Sequence, residues 1–169
     1  IPVAAFAWQP PPPGAAKSVC PEAPSAVLAL SRMVALPRRF RHISKPLKRQ
    51  MRDLIDRTRW PVLVTYSDEG QGHTGYVYQC SGWQKTTRKR AQVRETADGR
   101  RASVYSAGKR NARDLVRVAD TWIQRWEHRV CAVGEAAAWL ARHGWERVVI
   151  PGKTQAHRWV RFADRACST

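Results

Sequence analysis

Ala26-Val-Leu-Ala-Leu-Ser-Arg-Met-Val-Ala-Leu36 and Pro61-Val-Leu-Val-Thr-Tyr66 flank a basic amphipathic stretch that opens at Ser44, and these three pieces set the fold. The first run reads as a central strand, apolar on both faces except at Ser31 and Arg32, and Pro37 stops it. Leu47, Met51, Leu54 and Ile55 then recur at helical spacing and form one apolar stripe. Ser44 stands where an N-cap belongs and Pro46 fits the first turn. Strand, helix and strand joined by short loops imply a parallel pair with a right-handed crossover. The class is therefore α/β.

Outward from this unit, residues 1–25 carry a Pro10–Pro13 run and prolines at 2, 21 and 24, which read as an extended proline-rich arm. A single domain is expected over 26–165. After Tyr66 comes a glycine-punctuated turn, then a short helix through Tyr76–Ser81. Gln84–Val93 and Arg101–Tyr105 around Ala97-Asp98-Gly99 read as a β-hairpin. Asn111 to Arg129 reads as a helix with Leu115, Val118, Ala119, Trp122 and Ile123 on one side. A second helix over Gly134–His143 ends at Gly144, and Glu146–Ile150 and Arg158–Phe162 read as the last strands.

Thirty Lys and Arg against thirteen Asp and Glu leave a net charge of +17 over 169 residues. A field of that sign favours a polyanion, most simply nucleic acid. From Trp83 to Arg117, eleven basic residues face three acids; Arg88, Lys89, Arg90, Arg100 and Arg101 sit on the hairpin and Lys109 just after it. A basic hairpin can straddle a phosphate backbone. The four cysteines have neither zinc-site nor disulfide-framework spacing, which suits a reducing cytoplasm. No apolar run reaches the roughly 20 residues a membrane helix needs.

The densest chemistry lies between Tyr66 and Trp83, where Asp68, His73, Tyr76 and Tyr78 gather among three glycines at a strand end. Reactive side chains are well placed on such loops. A buried Arg32 needs a partner, and Asp68 on the neighbouring strand is the natural one, as a structural ion pair or as a substrate-orienting pair. His73 reads either as a general base or phosphate donor or as a neutral loop histidine. Asp68 and His73 alone are too few for a metal site. Tyr76 and Tyr78 diverge on a helix, so one, Tyr76, is expected in the core and Tyr78 at the cleft.

Leu30-Ser-Arg-Met-Val34, Ser44 at a helix start, Thr65-Tyr-Ser-Asp68, Gly72-His-Thr-Gly-Tyr-Val-Tyr-Gln79 and Gly82-Trp83 together resemble the Mom family of bacteriophage DNA-modification proteins. That family looks like a branch of the GCN5-related N-acetyltransferase (GNAT) superfamily. Pro151-Gly-Lys153 with His157-Arg-Trp-Val160 is similar to the family's basic ending. The resemblance implies a GNAT-like mixed sheet with flanking helices, its first strands missing, in a chain that begins at Ile1 and is truncated at its N-terminus. It implies a transferase that adds a carbamoylmethyl- or acyl-type group to adenine N6 in double-stranded DNA and protects phage DNA from restriction in the bacterial cytoplasm. Carried over by position, Arg32, Ser44, Asp68 and Tyr78 form the active-site set, with His73 as a helper. Arg38, Arg39 and Ser44 would hold an acyl-coenzyme A such as acetyl-CoA, although this stretch lacks the glycines of the GNAT superfamily's pyrophosphate loop. Lys153, His157 and Arg158 would join the hairpin in holding phosphates. Two other readings are a noncatalytic DNA-binding protein, with Asn111–Arg129 and Gly134–His143 as a helix-turn-helix, and a small-molecule or protein N-acetyltransferase.

Overall fold

The computed structural model describes residues 4–35, 42–102, 115–149 and 157–161. In chain order the elements are β1 (Ala4–Gln9), α1 (Pro13–Val19), a 3-10 turn (Pro24–Ala26), β2 (Val27–Ala35), α2 (Ser44–Arg57) and β3 (Val62–Asp68). A 3-10 turn (Glu69–Gln71) leads to α3 (Tyr76–Cys80), β4 (Gln84–Glu95), β5 (Arg101–Ala102), β6 (Val116–Arg129), α4 (Ala136–Arg142), β7 (Trp145–Val149) and β8 (His157–Arg161). The class is mixed α/β. The chain divides into two compact units, one of residues 1–65, 77–84 and 127–169, the other of 66–76 and 85–126. Both β3 and β6 contribute residues to each.

In the first unit β1, β2 and β3 pair in that order. β2 and β3 are parallel, with Val27 opposite Val62 and Ala29 opposite Val64, as the strand–helix–strand pattern requires. The α2 stripe is borne out: Leu47, Met51 and Ile55 are buried. Ala16, Val19, Cys20, Val27, Val62, Val64, Leu140 and Trp159 share one core. β7 and β8 pair antiparallel.

Residues 4–25 do not form an extended arm. Ala4–Gln9 alternates half-buried and exposed side chains and pairs antiparallel with β2, from Ala4 opposite Ala35 to Gln9 opposite Ala29. Pro13 occupies the first turn of α1, where its missing N–H costs nothing. The prolines therefore punctuate packed elements. Arg32 is also exposed on β2 and has no ion-pair partner among the described residues. β2 is buried only from Val27 to Leu30, and beyond Leu30 its side chains reach solvent.

In the second unit the end of β3 is followed by β6, β4 and β5. The hairpin is borne out, with Arg94 opposite Ala102 and Glu95 opposite Arg101. The helix expected over Asn111–Arg129 is instead strand β6 from Val116 onward. Val116, Val118, Thr121, Trp122 and Ile123 favour a pleated, half-buried surface, and this outweighs their helical spacing. Thr121, Gln124 and Trp126 are buried while Trp122 is 40% exposed, which no single helical stripe would give. The helix-turn-helix reading loses its first helix with this strand.

One glycine shows how tightly this unit is built. Gly75 has a φ of 75°, and a Cβ added there would lie 2.2 Å from the Trp126 ring. Gly75→Ala combines a left-handed backbone with overpacking and should cost about 3 kcal/mol in urea unfolding. Gly14→Ala, with nothing within 4 Å of the new methyl, should change stability by less than about 1 kcal/mol.

Candidate substrate cleft

The turn that leaves β3 is held by side-chain chemistry on β6. Asp68 Oδ1 accepts the Gly70 N–H at 2.9 Å and the Thr121 hydroxyl, and Thr121 Oγ1 also accepts the Gly70 N–H at 2.8 Å. A Cβ on Gly70 would lie 2.5 Å from Thr121 Oγ1, so this close approach requires glycine. Gly72 then turns the chain with a φ of 73°, and the His73 N–H donates to the Asp68 carbonyl at 3.2 Å. Asp68 is thus a brace for the turn. Its second carboxylate oxygen makes no hydrogen bond among the described residues.

The next residue carries the densest polar contacts. Arg88 of β4 grips Glu69 with two parallel hydrogen bonds, Nε to Oε1 at 2.8 Å and a terminal nitrogen to Oε2 at 2.7 Å. Gln124 of β6 donates its Nε2 to Oε1 of the same carboxylate. The Arg88 guanidinium lies 4.2 Å from the centre of the Trp122 ring. The hydrogen bonds from Arg88 first, and then from Gln124, pull the Glu69 carboxyl down from 4.5 to about 2. Glu69 correspondingly raises Arg88.

Glu69, Gly72, His73, Thr74, Lys85, Arg88 and Gln124 line a cleft of about 580 Å³. His73 and Thr74 are exposed at its wall. The cleft therefore offers one histidine, one ammonium and a clamped carboxylate within a single rigid setting. Glu69 and Gln124 escaped the sequence reading. Glu69 stood beside the better-looking Asp68, and Gln124 lay in a segment read as helix.

The other expected site residues fall elsewhere. Arg32, Ser44 and Tyr78 belong to the first unit, whereas Asp68 and His73 belong to the second. Ser44 is the first residue of α2, and the N-cap is Ile43, which makes no side-chain cap. The Ser44 carbonyl accepts from Ser81 Oγ at 3.4 Å. Tyr78 is half-buried, its ring tilted on buried Trp83 at 5.9 Å, and Trp83 in turn stacks on Trp8 at 6.4 Å. Tyr76, expected in the core, is 71% exposed because helix α3 turns its first residue outward.

Among the expected phosphate contacts, Arg88 is committed to Glu69, Arg90 pairs with Asp120, and Arg100 pairs with Asp98 at 3.0 Å. Asp120 is held below its usual range by Arg117 first and by Arg90. Lys89 is exposed with no ion-pair partner among the described residues. Arg101 lies on β5, and His157 and Arg158 on β8, but their side chains fall outside the described set. Arg38, Arg39, Lys109 and Lys153 lie outside the described residues.

At the start of α2 several backbone donors are already used. The Lys45 N–H is taken by the His42 carbonyl, Pro46 has no N–H, and the Leu47 N–H is taken by Ile43. Few donors remain where an anion would need them. Among the described residues no cluster of three His, Cys, Asp or Glu could hold a metal ion. Cys20 is fully buried, and burial pushes its thiol up to about 12, which keeps it protonated and non-nucleophilic at neutral pH.

The clamp has a titration signature. A depressed carboxyl contributes stability above its ordinary value of 4.5 and loses it as pH falls through about 2. Carbon-detected NMR of the Glu69 carboxylate should therefore give a midpoint near 2. Arg88→Ala should move that midpoint back toward 4.5.

A model of the Mom protein family matches residues 1–168, so the chain belongs to the Mom family. No curated protein matches it.

Proposed function

Proceeding from membership of the Mom family, we propose that this protein is a phage-type DNA-modification enzyme that transfers a carbamoylmethyl- or acyl-type group to N6 of adenine in DNA. Such a group on adenine would shield the DNA from restriction. The observation that carries the reading is the cleft beside β3, where exposed His73 stands among Thr74, Lys85 and the Glu69–Gln124 pair. A net charge of +17 supplies the attraction to a phosphate backbone.

The chemistry asked of the site is modest and specific. Duplex adenine hides N6 in the stack, so the base would be flipped into the cleft before reaction. The N6 lone pair attacks the electrophilic carbon of the group donor. A new N–C bond forms, the bond from that carbon to its leaving group breaks, and the leaving group departs with the electron pair. N6 must then lose one proton, and His73 is the cleft residue that would accept it. Lys85 and Lys89 are exposed on β4 and would engage phosphate oxygens. Asp68 acts through the turn that carries His73.

The test is nucleoside mass spectrometry of DNA from cells that express the protein. Wild type should convert a fraction of deoxyadenosine to an N6-substituted product. His73→Ala should lower that fraction by about 10²–10⁴-fold, the usual worth of a general base, with DNA affinity within about twofold of wild type. Unmodified deoxyadenosine throughout with wild type would overturn the proposal.

A further inference from the structure

One face of β6 combines exposed apolar side chains with arginines. Side chains at alternate positions of a strand share a face, which puts Val116, Val118, Asp120 and Trp122 together. Both valines are exposed. From β4, Arg88 lies over the Trp122 ring and Arg90 pairs with Asp120. Neither member of the Arg88–Trp122 stack is covered: the Arg88 side chain is 47% exposed and Trp122 is 40% exposed. Arg88 is also a wall of the cleft, so the stack stands at the cleft's rim. It is rigid before any ligand arrives, because two parallel hydrogen bonds to Glu69 fix the guanidinium and Gln124 holds the same carboxylate.

From this we propose that the Arg88–Trp122 stack is a platform for an unpaired base next to the target adenine, so that the protein binds its DNA as a locally opened strand. The inference rests on the DNA-modification reading above. Every base has a π-face and stacks on tryptophan or on a guanidinium plane with little regard to sequence. In an intact duplex those faces are hidden in the stack, and opening the strand around a flipped adenine exposes them. Charge agrees with this occupant. Lys85, Arg88, Arg90 and Arg117 against Glu69 and Asp120 leave the surface positive, as a phosphate backbone requires. A second copy of the chain, itself at +17, would bring like charge to it. With its neighbour held at the rim, the adenine is kept beside the cleft wall that carries His73. A platform fixed in advance costs little ordering on binding.

Duplexes of one sequence, opened by a short mismatched bubble around a single adenine, test this. One version keeps the bases beside the adenine; the other replaces them with abasic sugars, which preserves every phosphate. By fluorescence anisotropy wild type should bind the first about tenfold or more tightly, the usual worth of a base–aromatic stack. Trp122→Ala should bring the two affinities within about twofold by weakening only the first, whereas Trp122→Phe should keep most of the preference. A merely structural role for Trp122 would lower both affinities together, and that result would overturn the proposal. Equal binding of the two duplexes by wild type would overturn it whether or not the variants fold. So would a folded Trp122→Ala that keeps the preference; with a changed oligomeric state, it would identify the face as a contact between copies. Preference for flanking bases without any modified deoxyadenosine in cells would support the platform and sink the enzymatic reading instead. Modified deoxyadenosine made by a wild-type protein that ignores the flanking bases would do the reverse.

Discussion

The loop after β3 is pressed against β6 so closely that two of its residues can carry no side chain. Gly70 meets Thr121, and Gly75 meets the Trp126 ring. The first of these points lies within the 3-10 turn and His73 lies between the two, so the loop's conformation is determined by packing as well as by hydrogen bonds. Trp126 adds a polar tie, donating its indole N–H to Ser67 at 2.9 Å. A loop anchored in this way can hold a histidine and a carboxylate at a cleft wall without a large loss of side-chain and backbone entropy on binding.

Electrostatics in this unit is organised by pairing. Although the chain is strongly cationic, Arg88, Arg90, Arg100 and Arg117 each hold a carboxylate. Their charge is used first to build the β4–β6 surface. An exposed ion pair contributes little to stability by itself. What distinguishes Arg88 is its planar fork on Glu69 together with its stack on Trp122, a geometry lysine could not reproduce. Long-range attraction to DNA and local shaping of the cleft are thus carried by different members of the same basic set.

Much of the fold was legible. The parallel β2–β3 pair, the α2 stripe, the β4–β5 hairpin and the final β7–β8 pair follow from periodicity, turn glycines and the position of prolines. The arm was misread because proline density was taken for extension, when Pro13 merely opens a helix. β6 was misread because apolar residues at helical spacing also suit a strand, and only the neighbouring strands decide between the two. At the site, the crowded Asp68–Tyr78 block drew attention to the strand-end loop but did not assign roles. Asp68 proved to brace the turn while its neighbour Glu69 reached the cleft. Gln124 could not be found from sequence, since it lay in a segment read as helix and its place comes from its hydrogen bond to Glu69 across the fold.

The central claim is that adenine enters the cleft beside His73. Photocrosslinking with a DNA strand that carries 8-azidoadenine, mapped to single residues by fragmentation mass spectrometry, tests it most directly. Crosslinks confined to the His73–Tyr76 segment and the neighbourhood of Gln124 are the expected result. Efficient crosslinking to α4 or to the β7–β8 pair, with the cleft unlabelled, would contradict it.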